Sequence, residues 1–531
     1  MKSVTLVAFE EFDNLGVGYL VSVLSEAGYE ITIVDFRDGK DKIFNYIRKS
    51  NPFIVGFSLI FEYYIRDFKN LIDFLRREGV NCHFTAGGQY PSLKYSEVIK
   101  TIPFLDSIVR FDGEYTMLEL VNRIYHGSEW KNIAGIVYKD SDKIVVNPLR
   151  KIEKDLDKFP YPVRLPLQEY SFGKKFATII AGRGCIYNCI FCSEREYYKQ
   201  SSGPYKRIRK PEKVVEEMVF LHSEMDCSIY LFQDDDFPVK TPDGSDWIKQ
   251  FCKELKRRGI SDKIMWKISC RPDEVDYESF SLMKKHGLFN VFLGIEDGTD
   301  AGLLLINKHI TVAKCLKGIN ILKDLEISFE YGFMPFNPNT DFSSLKENLN
   351  FLRTFTSDGF TPVTFQKMMP FSSTAVERNL RNEGRLKGRP GFLDYDFYSD
   401  SMNRYYKFIS EVFMDWIGDR DGLLNISKWA RNYFAVFSAY FDTSLAIADL
   451  KTELMKIVSE GNIFLLDTLE ELAILFETRE IEIINADLAK YRKKIKMKHR
   501  VFCKDIKNII GKLSILFEFQ QQTKYLPFFQ R

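Results

Sequence analysis

Short apolar runs alternate with amphipathic stretches over the first 115 residues, and the same rhythm restarts at Phe176. In the first block Val4–Phe9, Ile31–Phe36, Phe53–Ser58, Cys82–Ala86 and Ser107–Arg110 read as buried strands. Gly18–Ala27, Lys42–Arg48, Ile65–Glu78 and Lys94–Thr101 read as the helices between them. Strands in this rhythm have both faces covered by helices, which is the situation of an open parallel sheet. Such a sheet takes its ligands at the carboxyl ends of its strands. In the second block the strands are Phe176–Ile180, Ser228–Gln233, Ile264–Cys270, Val291–Ile295, Ile327–Met334 and Val363–Lys367. The helices are Glu212–Glu224, opened by Pro211 at a first-turn position, then Trp247–Arg258, Tyr277–His286, Thr311–Leu325 and Ser343–Phe355. Six βα repeats of 27 to 52 residues suit a partial barrel, whose chemistry belongs at the strand C-termini.

Between the blocks, Gly135–Pro166 carries a small β piece (Ile136–Tyr138, Ile144–Val146) and the Pro160-Tyr161-Pro162 punctuation of a connector. Past about Gly388 the strand rhythm stops, and residues 390–531 read as helices rich in Phe, Tyr and Lys. At roughly 150 residues per domain, a 531-residue chain has room for three or four cores. The near balance of 75 Lys+Arg against 73 Asp+Glu argues against a broad cationic surface for nucleic acid or membrane. No charge-free apolar run reaches the ~18 residues of a membrane span. Asn432–Phe441 comes nearest before Asp442 closes it. Met1–Leu6 leads straight into strand-like sequence with Glu10 and Glu11 behind, which is no signal peptide. Nine cysteines, an odd number and mostly scattered, make no disulfide framework and point to a reducing cytoplasm.

Three of the nine, Cys185, Cys189 and Cys192, fall within eight residues, directly after the first strand of the second block. The run is Ala181-Gly182-Arg183-Gly184-Cys185-Ile186-Tyr187-Asn188-Cys189-Ile190-Phe191-Cys192. Thiolates so spaced wrap one loop around a metal centre. A structural zinc ion wants four ligands, usually as two separated pairs. No fourth Cys or His stands near in sequence, although a distant one can fold in. A four-iron cluster held by three thiolates keeps one iron open to a substrate.

This run resembles the signature of the radical S-adenosylmethionine (SAM) superfamily, Cys-x3-Cys-x-aromatic-Cys, through Cys185, Cys189, Phe191 and Cys192. The resemblance extends in order over residues 176–375. It implies a [4Fe–4S] cluster on the three cysteines, SAM chelated at the open iron, and cleavage of SAM to a 5′-deoxyadenosyl radical that abstracts hydrogen. It also implies SAM contacts from Phe191, from Asp234 and Asp235 in the acidic stretch ending the second strand, and from Ser269 and Arg271 ending the third. Gly294 and Glu296 end the fourth strand at the place where relatives contact ribose and methionine, with Lys308 following.

In the N-terminal block, Asn14-Leu15-Gly16-Val17-Gly18-Tyr19 follows the first strand, but Val21 denies it a dinucleotide fingerprint. Gly56-Phe57-Ser58, Gly87-Gly88-Gln89-Tyr90 and Gly113-Glu114 end later strands. Glycines there let backbone approach a large flat ligand. Together with the barrel, this pattern is similar to the cobalamin-binding domain of the B12-dependent radical SAM enzymes. The resemblance implies cobalamin against Asn14, Leu15, Gly16, Gly18, Ser58, Phe61, Gly87, Gly88, Gln89, Tyr90 and Glu114. No Asp-x-His-x-x-Gly stands in the first 120 residues, and His83 lies inside a strand. Cobalt is therefore expected to lack a histidine lower ligand, with Leu59, Ile60 and Phe61 shielding that face. Gln89 departs from the His that relatives often carry.

The implied architecture is α/β: a Rossmann-like parallel-sheet cobalamin-binding domain over 1–134, a connector over 135–175, a partial (β/α)6 TIM-type radical SAM barrel over 176–388 and a helical C-terminal domain over 389–531. The leading expectation is methyl transfer to an unactivated carbon of a small molecule or natural-product intermediate. The alternative keeps cobalamin but performs cyclisation, rearrangement or ring contraction. An RNA methylthiotransferase would need three further N-terminal cysteines where only Cys82 stands. A corrinoid-binding sensor with a degenerate barrel conflicts with the intact triplet. Expected partners are the substrate and a flavodoxin- or ferredoxin-type electron donor, with no membrane and no nucleic acid. In the C-terminal region, the Lys490–Arg500 charge run reads as a solvated helix facing the acidic stretch Glu470–Glu482. Aromatic patches such as Trp429–Phe434 read as helical core, with closure of the substrate cavity as the other reading.

Overall fold

The computed structural model describes residues 2–10, 14–241, 244, 246–441, 445–478 and 481–525. Met1, Glu11, Asp442 and the Arg479–Glu480 part of the acidic stretch lie outside them. The chain forms two compact units, one of residues 1–168, 177–225 and 369–395, the other of 169–176, 226–368 and 396–531.

In the first unit, β1 (Ser3–Ala8), α1 (Leu15–Glu26), β2 (Glu30–Asp35), α2 (Lys40–Ser50), β3 (Ile54–Ser58), α3 (Ile65–Arg77), β4 (His83–Gly87), α4 (Gln89–Leu93), α5 (Tyr95–Thr101), β5 (Ser107–Val109) and α6 (Glu114–Tyr125) follow the expected alternation. The five strands are parallel in the order β2-β1-β3-β4-β5, which puts the topological switch between β1 and β3. β1 is buried throughout, with Val4, Leu6 and Ala8 in one core and Val7 in the other, so helices cover both faces. The β piece expected in the connector is instead sheet. β6 (Ile136–Asp140) and β7 (Lys143–Val146) form an antiparallel hairpin whose first strand pairs with β5, extending the sheet to seven strands. Gly135, at φ +86°, turns the chain onto the edge that β5 leaves open.

β8 (Glu169–Ser171) and β9 (Lys174–Ile179) are antiparallel. Along β9 the chain returns to the first unit for β10 (Gly182–Gly184), α7 (Ser193–Gln200), β11 (Lys206–Ile208) and α8 (Pro211–Met225). In the second unit, β12 (Cys227–Phe232), α9 (Trp247–Arg257), β13 (Met265–Cys270), α10 (Tyr277–Lys285), β14 (Leu288–Glu296), α11 (Asp300–Leu305), α12 (Val312–Asp324), β15 (Ser328–Phe333) and α13 (Phe342–Thr356) complete the half-barrel. Its sheet order is β15-β14-β13-β12-β9-β8. The expected sixth barrel strand, Val363–Lys367, does not form, and only a single bridge joins Lys367 to Phe336. Side chains take its first two backbone donors, Val363 N–H going to Asn462 Oδ1 at 2.8 Å and Thr364 N–H to the Tyr331 hydroxyl at 3.3 Å, while Gln366 N–H donates to the Phe333 carbonyl at 2.9 Å.

Strand structure also continues past the expected limit near Gly388. After α14 (Ala375–Asn382), β16 (Leu386–Arg389) and β17 (Phe392–Tyr395) make a hairpin in the first unit. Then come α15 (Asp400–Val412), α16 (Met414–Ile417), α17 (Leu423–Tyr440), α18 (Leu445–Thr478) and α19 (Ile481–Tyr525). Of the basic run on α19, Lys494 faces Glu471 of the expected acidic stretch at 3.8 Å, whereas Arg492 pairs with Glu411 on α15 at 2.8 Å. Among the described residues, no helix is long and apolar enough to cross a membrane.

Candidate functional site

The cysteine loop belongs to the first unit, and a clamp of charges fixes its base. β10 and β11 pair antiparallel, setting Arg183 opposite Arg207. Arg183 Nη2 contacts Glu114 Oε1 at 2.7 Å, and Arg207 Nη1 contacts Asp112 Oδ2 at 2.6 Å. The loop's entry strand is thus fastened to the turn between β5 and α6. Gly184 sits at φ +90°, where a Cβ would lie 2.0 Å from the Tyr205 carbonyl oxygen, so only glycine closes this hairpin. Beyond it, the Cys192 amide donates to the Cys189 carbonyl at 3.3 Å, bending the loop back before α7. Burial pushes the Cys192 thiol up to about 12.

Among the described residues, no group of three His, Cys, Asp or Glu side chains converges on one ion position. Three thiolates without a fourth ligand suit a cluster, whose cysteines bind separate irons, better than a single zinc ion. The donor set fits a [4Fe–4S] cluster.

The residues expected to meet cobalamin gather at the carboxyl edge of the first sheet, with four exceptions of role. Gly18 is spent on packing: a Cβ there would lie 2.5 Å from the Val163 carbonyl oxygen, and Ser22 Oγ binds the same connector segment. Tyr90 is core, its hydroxyl donating to Glu97 at 2.7 Å. Leu59, expected to shield a corrin face, is also core. Glu114 is engaged by Arg183. What remains at the edge fits a flat ligand. Gly88 at φ +112° lets the Leu59–Ile60 backbone pass within van der Waals distance, while a Cβ on Gly16 would meet only Asn14 Oδ1, at 3.7 Å. Asn14 caps α1, accepting from Val17 N at 3.2 Å, and Leu15 begins that helix. Ser58 and Gly87 are register partners at the ends of β3 and β4. Phe61 and Tyr63 stack at 5.2 Å, Phe61 being 46% exposed, and so offer an aromatic plate beside the switch point. Gln89 hydrogen-bonds through Nε2 to Glu194, two residues past Cys192. No sequence signal pairs these two, because they lie 105 positions apart.

The SAM candidates other than Phe191, which lies in the cysteine loop, are in the second unit. Asp234 and Asp235 follow β12, the first buried and the second exposed. Arg271 is buried after β13 and holds Asp273 at 3.0 Å and the Lys308 carbonyl at 2.7 Å. It therefore fastens two strand-end loops together. Ser269 lies level with Phe292 and Glu330 on neighbouring strands, and Gly294 with Gly332. Glu296 takes φ +75° at a register shift in β14. This strained turn folds its carboxylate back over Gly294 and Gly332, whose missing side chains leave room for it, and Lys308 faces it at 3.6 Å. A carboxylate held over a bare glycine patch at a strand end suits a ligand hydroxyl pair. The sequence reading missed the charged residues deeper on this sheet, Lys267 and Glu330, which bond at 2.8 Å. Their spacing within separate strands carries no sign of that contact.

Residues 1–121 match the B12 binding domain family, and residues 179–352 match the Radical SAM superfamily. The chain is 28% identical over 333 residues to an uncharacterised methyltransferase of Pyrococcus horikoshii, an alignment covering 60% of this chain and 69% of that protein. It is 28% identical over 435 residues to the anaerobic magnesium-protoporphyrin IX monomethyl ester cyclase of Rubrivivax gelatinosus, covering 73% and 76%. In fold it resembles the cobalamin-dependent S-adenosylmethionine radical enzyme OxsB, with TM-score 0.69 and 18% identity over 98% of this chain and 81% of that one. It also resembles the radical S-adenosylmethionine methyltransferase TsrM from Kitasatospora setae, with TM-score 0.61 and 16% identity, covering 72% and 75%.

Proposed function

Starting from a chain that carries the B12-binding and radical SAM domains of the cobalamin-dependent radical SAM enzymes, we propose that it methylates an unactivated carbon of a small molecule. The cofactors of those two domains are cobalamin, SAM and a [4Fe–4S] cluster. When bound, they supply an electron for SAM cleavage and a methyl group for transfer. The chain's own residues hold and orient them. Cys185, Cys189 and Cys192 would take the cluster, with Arg183 and Glu114 anchoring the hairpin that presents them. Gly16, Ser58, Phe61, Gly87, Gly88 and Gln89 would receive the corrinoid edge. Asp234, Asp235, Ser269, Gly294 and Glu296 would contact SAM, with Arg271 bracing the loops around it.

The observation that carries this reading is the juxtaposition, within one compact unit, of the cysteine loop and a glycine-edged sheet through Gln89 and Glu194. Among the described residues no histidine stands at that edge, since His83 hydrogen-bonds Ser107 inside the sheet at 2.8 Å. A corrinoid without a histidine lower ligand is the form suited to giving up a methyl group. A flavodoxin- or ferredoxin-type donor and a cytoplasmic site belong to the same proposal.

The similarity to the magnesium-protoporphyrin cyclase over 73% of the chain supports a second reading, ring closure without methyl transfer. One experiment separates them. Protein reconstituted without oxygen should hold about four irons per chain and one corrinoid. With SAM and a reductant it should release S-adenosylhomocysteine as well as 5′-deoxyadenosine if it methylates, and 5′-deoxyadenosine alone if it cyclises. Neither product from loaded protein would rule out both.

A further inference from the structure

We propose that the concave face of the second unit's half-barrel carries an anion-binding floor, built by Lys267, Lys428 and Arg431 around Glu330, that seats a carboxylate or phosphate of the substrate. The inference deepens the function proposed above and rests on it only for where the reacting carbon lies.

Strand register defines the floor. Lys267, Asn290 and Ser328 form one row across β13, β14 and β15, and Ser269, Phe292 and Glu330 form the next row toward the carboxyl edge. Trp266, Ile268, Val291 and Phe329, which alternate with these residues, are fully buried on the opposite face. Helix α17 crosses the same rows. Lys428 faces Glu330 at 3.7 Å, Asn432 accepts from Asn290 at 3.1 Å, Val436 packs with Ile229 and Met265, and the Tyr440 hydroxyl reaches the Ser228 carbonyl at 2.8 Å. The helix therefore runs from β15 to β12 and delivers two cations, Lys428 and Arg431, to its β15 end.

Three cations share one carboxylate there. Lys267 takes Glu330 at 2.8 Å, which leaves Lys428 the longer contact. Arg431 feels the charge of Glu330 but makes no ion-pair contact among the described residues: it donates to the Phe329 carbonyl at 3.3 Å and lies over the Phe360 ring at 5.1 Å. Asp358, the other carboxylate whose charge it feels, is held by Lys323 at 2.5 Å. Burial pulls both Lys428 and Arg431 below their ordinary values, Arg431 to about 10, which marks cations short of counter-charge. The group is not sealed. The side chains of Lys267 and Lys428 are each 24% exposed, and Phe292 beside them is 36% exposed although it sits on a central strand. An anion entering here meets unspent positive charge below and an aromatic wall at its side.

The geometry also measures the substrate. Strands rise about 3.3 Å per residue, so the Glu330 row lies roughly 7 Å below the Gly294 row and roughly 10 Å below Glu296, which is level with Phe333 across the register shift. A substrate anchored on the floor presents to the catalytic edge a carbon separated from its acidic group by that span.

The test titrates the full chain, reconstituted anaerobically with iron, sulfide and hydroxocobalamin, with 4-phenylbutanoate, 3-phenylpropyl phosphate and the uncharged 4-phenylbutanamide. At least one anion should bind about tenfold more tightly than the amide, the worth of one favourable buried charge contact, and the tighter of the two names the group. Lys428→Met should weaken anion binding by about the same factor without changing the amide. Glu330→Gln, which removes the competing carboxylate, should strengthen anion binding severalfold. Opposite effects from two substitutions in one cluster cannot come from misfolding. Failure of both anions to bind, equal affinity for all three probes, or loss of anion binding in both variants would overturn the floor. Iron, corrinoid and SAM cleavage are measured on the same samples. If those fail while charge-dependent binding persists, the enzymatic reading falls and the floor stands; if they hold and charge dependence is missing, the floor alone falls.

Discussion

Asn462 gives the backbone of Val363 the partner that a neighbouring strand would otherwise provide. Its Oδ1 accepts from Val363 N at 2.8 Å, while its Nδ2 donates to the carbonyls of Thr356 and Thr361 at 2.7 and 2.9 Å. One buried side chain on α18 thus satisfies three main-chain groups where the barrel sheet stops. Asn462→Leu leaves all three unpaired in the interior and should cost on the order of 3–5 kcal/mol. A denaturant midpoint shifted by less than a third of that would mean water or a backbone shift replaces the amide.

Glu217 is fully buried on α8 and receives Arg164 at 2.8 Å and Arg209 at 2.6 Å, while Asp157 takes the other side of Arg209. Glu217→Gln removes the charge and keeps the shape, so two guanidiniums remain buried with one acid between them. The expected loss is about 3 kcal/mol or more. Replacing Glu217 and both arginines together with apolar residues of similar volume should recover part of it, and chemical unfolding of the two variants makes the comparison.

His83 predicts a pH response. Burial lowers its pKa to about 4 from an ordinary 6.5, so the unfolded chain binds a proton that the folded chain refuses. Stability is then complete above pH 6.5 and is lost as pH falls toward 4, amounting to about 2 kcal/mol at pH 5. Thermal melts at pH 7 and pH 5 should differ accordingly, and His83→Asn should flatten the difference. An unchanged slope in that variant would assign the response to other groups.

Gly184→Ala drives a methyl group into the Tyr205 carbonyl in a backbone conformation that alanine avoids. The hairpin must open, and the cysteines after it lose their presentation. Iron content after anaerobic reconstitution should fall severalfold while the far-ultraviolet circular dichroism stays near wild type. Full iron occupancy would show that the loop tolerates the hairpin's distortion.

Cys189→Ala should abolish the visible absorption of the cluster and all SAM cleavage, yet leave corrinoid binding intact. Retained cleavage would remove the cysteine triplet from the chemistry.

The sequence was most legible where physics is local. Both alternations of strand and helix are visible because apolar runs between amphipathic stretches need nothing but neighbours in the chain, and the cysteine spacing is likewise contained in eight residues. Val363–Lys367 misleads because its apolar pattern is that of a strand, while its first two donors are taken by Asn462 and Tyr331, roughly 100 and 30 positions away. Gly18 and Tyr90 stand at the right edge of the sheet, but the connector and Glu97 claim them, and nothing in their own segments announces those partners. The Lys267–Glu330–Lys428 group was unreadable for the same reason: each residue is an ordinary charge until three elements converge.

The cysteine loop and the glycine-edged sheet share one folding body, and the cationic floor belongs to the other. Changes that retune which molecules are accepted can therefore accumulate on α17 and the inner strands without touching the scaffolding that loads iron and corrinoid. Such a partition makes the protein a tractable starting point for directed diversification, with cofactor capture serving as an independent screen for folded clones.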